Sequence, residues 1–234
     1  LEAVAYRNMV KRAEYNDDAR SVMLAYAAGS NLDHLAANYG VARLVVIEAD
    51  PDAVPPVVQV LESDDRLRRR VHLSPEGLSP AGTRGGYIFH TLSSDGQIKD
   101  AGVSSPAPAQ VVVTILSETG DGAANQALID QVFSDLNYED VRPLTDEVIV
   151  QSAVIQTYQV EAALTLYDGP DADLVRNAAI AELEAFVAKN HAIGHDITIS
   201  GIHHALYQPG VQNVTLAAPL ADIVIGPQDA AFCD

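Results

Sequence analysis

The chain has 234 residues, 48% of them hydrophobic and 20% charged, a composition that supports two or three small globular domains, each with a core of its own. Thirty-two Asp and Glu against fourteen Lys and Arg give a net charge of −18, which sets the chain against polyanions such as DNA. The single cysteine, Cys233, excludes an internal disulfide, and no stretch reaches the ~20 apolar residues that span a bilayer.

Leu1-Glu2-Ala3 lacks the basic start and apolar run of a signal peptide, and a first residue other than Met reads as a fragment or a processed product. From Val4 to Tyr39 the pattern is helical and broken once, where Leu24 to Ala28 run into Gly29, a residue that tolerates positive φ. Ser30 is expected to cap a second helix, with Leu32, Leu35, Ala36 and Tyr39 as its apolar face and Gly40 as its stop. After Pro51, Pro55 and Pro56, the stretch from Val57 to Val71 holds the acid-before-base pairs Glu62 and Arg66, Asp64 and Arg68, and Asp65 and Arg69. Their i,i+4 spacing predicts a helix.

Ser79 to Gly86 reads as a loop before a short helix from Tyr87 to about Leu92; it has no Walker lysine and no dinucleotide glycine spacing. Val111 to Leu116 is a β-branched apolar run, the mark of a strand buried on both faces. A helix follows, with Leu128, Ile129, Val132, Phe133 and Leu136 as its stripe. Val148 to Val150 then return to strand, closing a β-α-β unit.

From Val154 to Leu166 near alternation predicts one long strand. Asp168-Gly169-Pro170-Asp171 turns the chain into a helix carrying Val175, Ala179, Leu183, Phe186 and Val187, with acids in its first turn and Lys189 in its last. A short strand at Ile197 to Ile199, a helix capped by Ser200 and a strand from Val211 to Leu216 complete the pattern. The fold class expected is α+β: an N-terminal helical region, residues 1–75, followed by two small α+β modules with mixed sheets, residues 76–152 and 153–234.

Chemistry is sparse. His191, His195, Asp196, His203 and His204 lie close together, but His191 and His195 straddle a helix end at Gly194, and the adjacent His203 and His204 point about 100 degrees apart on a helix. A metal-dependent hydrolase built on the His191 to His204 segment is therefore the alternative rather than the main reading. There is no Gly-x-Ser-x-Gly elbow, and Cys233 is expected to lack ordered surroundings that would lower its pKa. Arg66-Leu67-Arg68-Arg69-Arg70 is the one strongly basic spot. It reads either as a solvated helix face neutralised by its own acids or as a docking patch for an acidic protein partner.

Several segments, taken in order, resemble the baseplate J-like family of contractile-tailed phages and phage-tail-like particles. They are Leu24 to Ala36, Gly40 to Arg43, Arg66 to Val71, Ser79 to Thr83, Asp100 to Pro106, Arg142 to Asp146 and Gly210 to Val214, between about Tyr6 and Ile225. Two positions depart from the family pattern: Ala109 follows Pro106-Ala107-Pro108 where glycine is usual, and His195 follows Gly194 where arginine is common.

The resemblance implies a structural baseplate wedge subunit, without catalytic residues or cofactor, that associates with itself and with other baseplate or tail proteins in a ring around the hub. It would pass on the contraction trigger. It also implies a virion-tail location after assembly in the host cytoplasm and a missing N-terminal portion; no nucleic-acid or membrane partner is expected, from the net charge and the lack of a membrane-length apolar stretch. Arg68, Arg69 and Arg70 are the expected contact to an acidic neighbour. A free-standing binding module is the third reading.

Overall fold

The computed structural model describes residues 2–79, 81–169 and 171–234, so Pro80 of the expected loop and Pro170 of the expected turn lie outside the described residues. The chain packs as two units, one formed by Leu1–Gln97 with Asp135–Asp146, the other by Ile98–Ser134 with Glu147–Asp234.

In the first unit, helix α1 (Glu2–Ser21) mixes charge around its whole surface and buries none of its residues. It stops at Ser21, short of the predicted break at Gly29. Leu24 to Ala28 instead form turns in which the Ala27 N–H donates to the Met23 carbonyl at 2.8 Å. Helix α2 (Gly29–Ala37) starts at Gly29, and its cap position, Ala28, offers no side-chain acceptor; Ser30 is not the cap. The carboxylate of Asp64 takes that role from outside, accepting the Gly29 N–H at 3.0 Å. Leu32 and Ala36 of α2 join Ala27, Val41, Leu67 and Val71 in the core, while Tyr39, predicted to share that face, is 52% exposed.

The helix expected from Val57 begins only at Asp64. The preceding β-branched residues pair instead, β1 (Val45–Ile47) lying antiparallel to β2 (Val60–Leu61). Ser63 then caps helix α3 (Asp64–Gly77), its hydroxyl accepting the Arg66 N–H at 3.3 Å. Helix α4 (Arg84–Ser94) starts before the predicted Tyr87, because the Thr83 hydroxyl accepts the Gly86 N–H at 3.0 Å. Gly85 and Gly86 are helical rather than loop residues, and their role is close approach. A Cβ on Gly86 would sit 3.0 Å from the Glu76 carbonyl oxygen, and one on Gly77 would sit 2.2 Å from the Phe89 ring.

The second unit opens with β3 (Ile98–Ser104) antiparallel to β4 (Gln110–Ser117), which pairs in parallel with β5 (Glu147–Ser152). Helix α5 (Gln126–Leu136) links β4 to β5, so the predicted β-α-β unit is present. As the central strand, β4 is buried from Val112 onward, which is why its sequence is an unbroken apolar run. Strand β3 gave no such signal, being interrupted by Lys99, Asp100 and Gly102. In the turn between β3 and β4, Ala109 has φ +61, a left-handed conformation where a side chain meets strain.

The single long strand predicted from Val154 is two. β6 (Val154–Tyr158) pairs in parallel with β9 (Asp229–Cys233), and β7 (Glu161–Leu166) pairs antiparallel with β8 (Val211–Ala218). Two different partners require a break, and it falls at Gln159 and Val160. Helix α6 (Ala172–Asn190) is capped by Asp171, as the acidic turn suggested. Helix α7 (Ile199–Leu206) is capped by Thr198 rather than Ser200, the Thr198 hydroxyl accepting the Gly201 N–H at 3.1 Å. The strand expected at Ile197 shrinks to one bridge with Ile223. Val175, Ala179, Ile197, Ile202, Leu206, Val214 and Ile225 form the core of this unit, and burying each large aliphatic side chain is worth about 1.5–3 kcal/mol.

The architecture is α+β with small antiparallel and mixed sheets. Among the described residues, no helix is long and apolar enough to cross a membrane.

Candidate protein interface

The basic run on α3 is the one charged feature that the sequence singled out, and the structure sorts its members by direction. Arg70 points inward and is 4% exposed. Its guanidinium pairs with the buried carboxylate of Glu62 and donates to the Ala42 carbonyl at 3.0 Å. Its Nε also reaches the Ser93 hydroxyl at 3.2 Å. Burial pulls the Arg70 pKa down more than Glu62 pushes it up, which marks a charge held out of water by one specific partner. The Nε of Arg66 lies 3.5 Å from the other Glu62 oxygen, and its Nη2 donates to the Asp95 carbonyl just beyond α4.

Arg68 is partly buried. It donates to the Leu24 and Ala27 carbonyls at 2.9 and 2.8 Å and pairs with Asp65, so it holds the turn before α2 against α3. Arg43, outside the run, completes the set by bonding Asp33, Asp64 and the Glu62 carbonyl, each at 2.7 Å. The Gly29 N–H, then Arg43, draw the Asp64 carboxyl below its ordinary range. These arginines serve as internal clamps, tying helix ends and turns to one another.

Arg69 is the member of the run that faces solvent. With Asp65, Arg68, His72, Leu73 and Ile88 it lines a shallow groove between α3 and α4. That groove sets the apolar Leu73 and Ile88 beside Arg68, Arg69 and His72 and the exposed carboxylate of Asp65. Leu67 and Val71 mark an i,i+4 stripe that Arg70 shares and Arg69 does not, a spacing signal that could have separated the two within the basic run.

The histidine segment makes no site. His191 donates from Nδ1 to the Ala231 carbonyl at 2.7 Å and stacks edge-on against Phe232, a structural use of the ring. Among the described residues, no group of three His, Cys, Asp or Glu could hold a metal ion. The hydrolase alternative therefore has no ligand set to stand on. Cys233, expected to lack surroundings that would lower its pKa, is in β9 opposite Tyr158, and burial raises its thiol pKa, away from the reactive thiolate. Its mate is affected too, the Tyr158 hydroxyl being pushed up to about 12, mainly by burial.

Comparison with known proteins gives one consistent picture. Residues 1–50 match the Baseplate J-like N-terminal domain, residues 79–152 the Baseplate J-like central domain, and residues 158–231 the Baseplate J-like protein C-terminal domain. Over 233 residues the chain is 47% identical to baseplate protein J of Escherichia phage P2, covering 100% of this chain and 77% of that protein. A chain in the cryo-EM structure of the anti-feeding prophage baseplate, 6-fold symmetrised, aligns with a TM-score of 0.54 at 12% identity, a likeness of fold alone. That match covers 78% of this chain and 46% of the other, so this chain spans less than half of that neighbour's length. With three domain matches in order and a relative of this identity along its whole length, the chain belongs to the baseplate J-like family.

Proposed function

We propose that the chain is a structural subunit of a contractile phage-tail or phage-tail-like baseplate, one that associates with itself and with neighbouring baseplate proteins in a ring around the hub. The observation that carries this reading is the 47% identity to a phage baseplate protein along the full chain. The role is mechanical rather than catalytic: interfaces with two packings of similar free energy let such a ring rearrange and pass on the contraction trigger. The location this implies is the virion tail, after assembly in the host cytoplasm.

Arg69, on the rim of the α3 and α4 groove, docks an acidic neighbour, while Arg68 is committed to the Leu24 and Ala27 carbonyls and to Asp65. Arg70 supports that surface from beneath through Glu62. Charge complementarity across such a contact acts mainly on association rate and partner choice. Arg69→Glu is expected to weaken assembly while leaving the isolated fold intact; unchanged assembly would remove the patch from the interface.

The whole reading is tested by light scattering coupled to size-exclusion chromatography, with the chain alone and co-expressed with the tail proteins encoded beside it. Co-elution as a defined complex is the expected result. A full-length protein that ignores every tail protein would overturn it.

A further inference from the structure

Strand β7 is paired only with β8 among the described residues, leaving its other edge of backbone N–H and C=O groups open. Open edges are ordinarily blunted by lysine, proline or a bulge. β7 has none of these: its sequence is Glu161-Ala162-Ala163-Leu164-Thr165-Leu166, with one charge at its start. The register irregularities between the two strands fall on β8. Glu161 faces Ala218 while Ala162 faces Leu216, and Thr165 faces Asn213 while Leu166 faces Val211, so the residues skipped are Ala217 and Gln212. β8 is the bulged strand and β7 the regular one. Beside β7, between it and α6, runs a mostly apolar groove of about 420 Å³, lined by Leu164, Leu166, Ile180 and Leu183 together with Asp173 and Arg176.

The geometry points to β7 as a strand-pairing interface with a second copy of this chain, the two β7 strands running antiparallel about a twofold axis at Leu164. The inference deepens the self-association reading above and rests on it. The strand is complementary to itself in this register. A twofold axis perpendicular to the sheet keeps side chains on their own faces, so even positions meet even and odd meet odd. Leu164 then faces its own copy, and Ala162 faces Leu166 of the second copy, small against large over the joined grooves. On the other face Ala163 meets Thr165. Glu161, the single charge on the strand, comes opposite Tyr167, whose ring is 57% exposed in the isolated chain and whose hydroxyl can donate to that carboxylate. No like charges are opposed, which matters in a chain of net charge −18. The product is a continuous four-stranded sheet, β8-β7-β7-β8.

The test uses the full chain in a Cys233→Ser background. Leu164→Cys is expected to form a disulfide-linked dimer on mild oxidation, since residues facing each other across an antiparallel pair are within disulfide reach, whereas Thr215→Cys on β8 is not. Independently, Ala162→Glu places a charge in the joined groove at an exposed position, so the fold by circular dichroism should be unchanged. Sedimentation equilibrium should show the dimer dissociation constant rising roughly tenfold or more. A chain that self-associates but neither cross-links at Leu164→Cys nor responds to Ala162→Glu would overturn the β7 interface while leaving self-association standing. A chain that stays monomeric at every concentration would overturn it as well, and co-elution with the tail proteins would still judge the baseplate reading on its own.

Discussion

The two units are held together by different physics. The first concentrates charge, with eleven of the fourteen Lys and Arg, and several of its arginines spend their hydrogen bonds inside it. The second holds three Lys and Arg against fifteen Asp and Glu, and its largest core cluster is aliphatic. The first unit adds polar clamps to a small apolar core, and they fix the geometry of its helix ends and turns. The second also has side-chain clamps, Asp100 accepting the Ile193 N–H and Asp196 the Ile225 N–H, but its β-α-β unit and paired strands pack their faces directly. A unit fixed by charges is sensitive to the loss of one partner. A unit fixed by packing is sensitive to the loss of volume.

The largest expected effects separate these two modes. Glu62→Ala leaves Arg70 buried without its carboxylate and is expected to cost about 3–5 kcal/mol by urea denaturation. The paired replacement Glu62→Leu with Arg70→Met should recover part of that loss, because both charges of the pair are then gone while Arg66 and the Leu44 N–H still lose the Glu62 carboxylate. Ile202→Ala in the second unit, where the side chain is fully buried, is expected to cost about 2–5 kcal/mol through transfer and cavity terms. No second substitution of charge can rescue it. If Glu62→Ala proved nearly neutral, the contrast between the units would fail.

A smaller effect sharpens the comparison within the second unit, whose turn before β4 carries strain that packing tolerates. Ala109 sits at φ +61, and its carbonyl accepts the Glu147 N–H at 2.7 Å, tying the turn to the start of β5. Glycine adopts this conformation without the Cβ penalty, so Ala109→Gly is expected to raise stability by about 1 kcal/mol after its extra unfolded-chain entropy is counted. A loss of stability would show that the Ala109 methyl packs better than its backbone suffers.

How much could be read beforehand follows the same division. Elements whose signal is apolar periodicity were legible: the buried run that became β4, the helix α5 after it, the capped helix α6 and the β-α-β order. Elements decided by a distant partner were not. The start of α2 depends on Asp64, thirty-five residues away, and the break between β6 and β7 depends on β9 and β8, which the chain has yet to reach. The glycines at 85 and 86 looked like loop residues because sequence does not show that Glu76 lies against them. In the basic run, the type of residue and its helical setting were visible, and the Leu67 and Val71 stripe that Arg70 shares pointed it inward; what spacing could not show is that Glu62 is buried there to pair with it. The departure at Ala109 was visible as a missing glycine, and the left-handed φ gives it physical content.

The smallest expected effect concerns pH and again belongs to the first unit. His90 is partly buried, its Nε2 lies 3.1 Å from the Gly77 carbonyl, and its ring stacks edge-on against Phe89. Burial lowers its pKa below the usual 6.5, outweighing the carbonyl, which favours the protonated ring. Since the folded state then binds its proton later than the unfolded state, stability is whole above about pH 6.5 and falls as pH drops from there toward the lowered value. His90→Gln keeps a donor for the Gly77 carbonyl and cannot titrate, so the slope of stability against pH between 7 and 5 should flatten. Urea midpoints measured across that window decide the matter. An unchanged slope would mean that burial and the carbonyl cancel, so that the ring holds its proton equally well folded and unfolded.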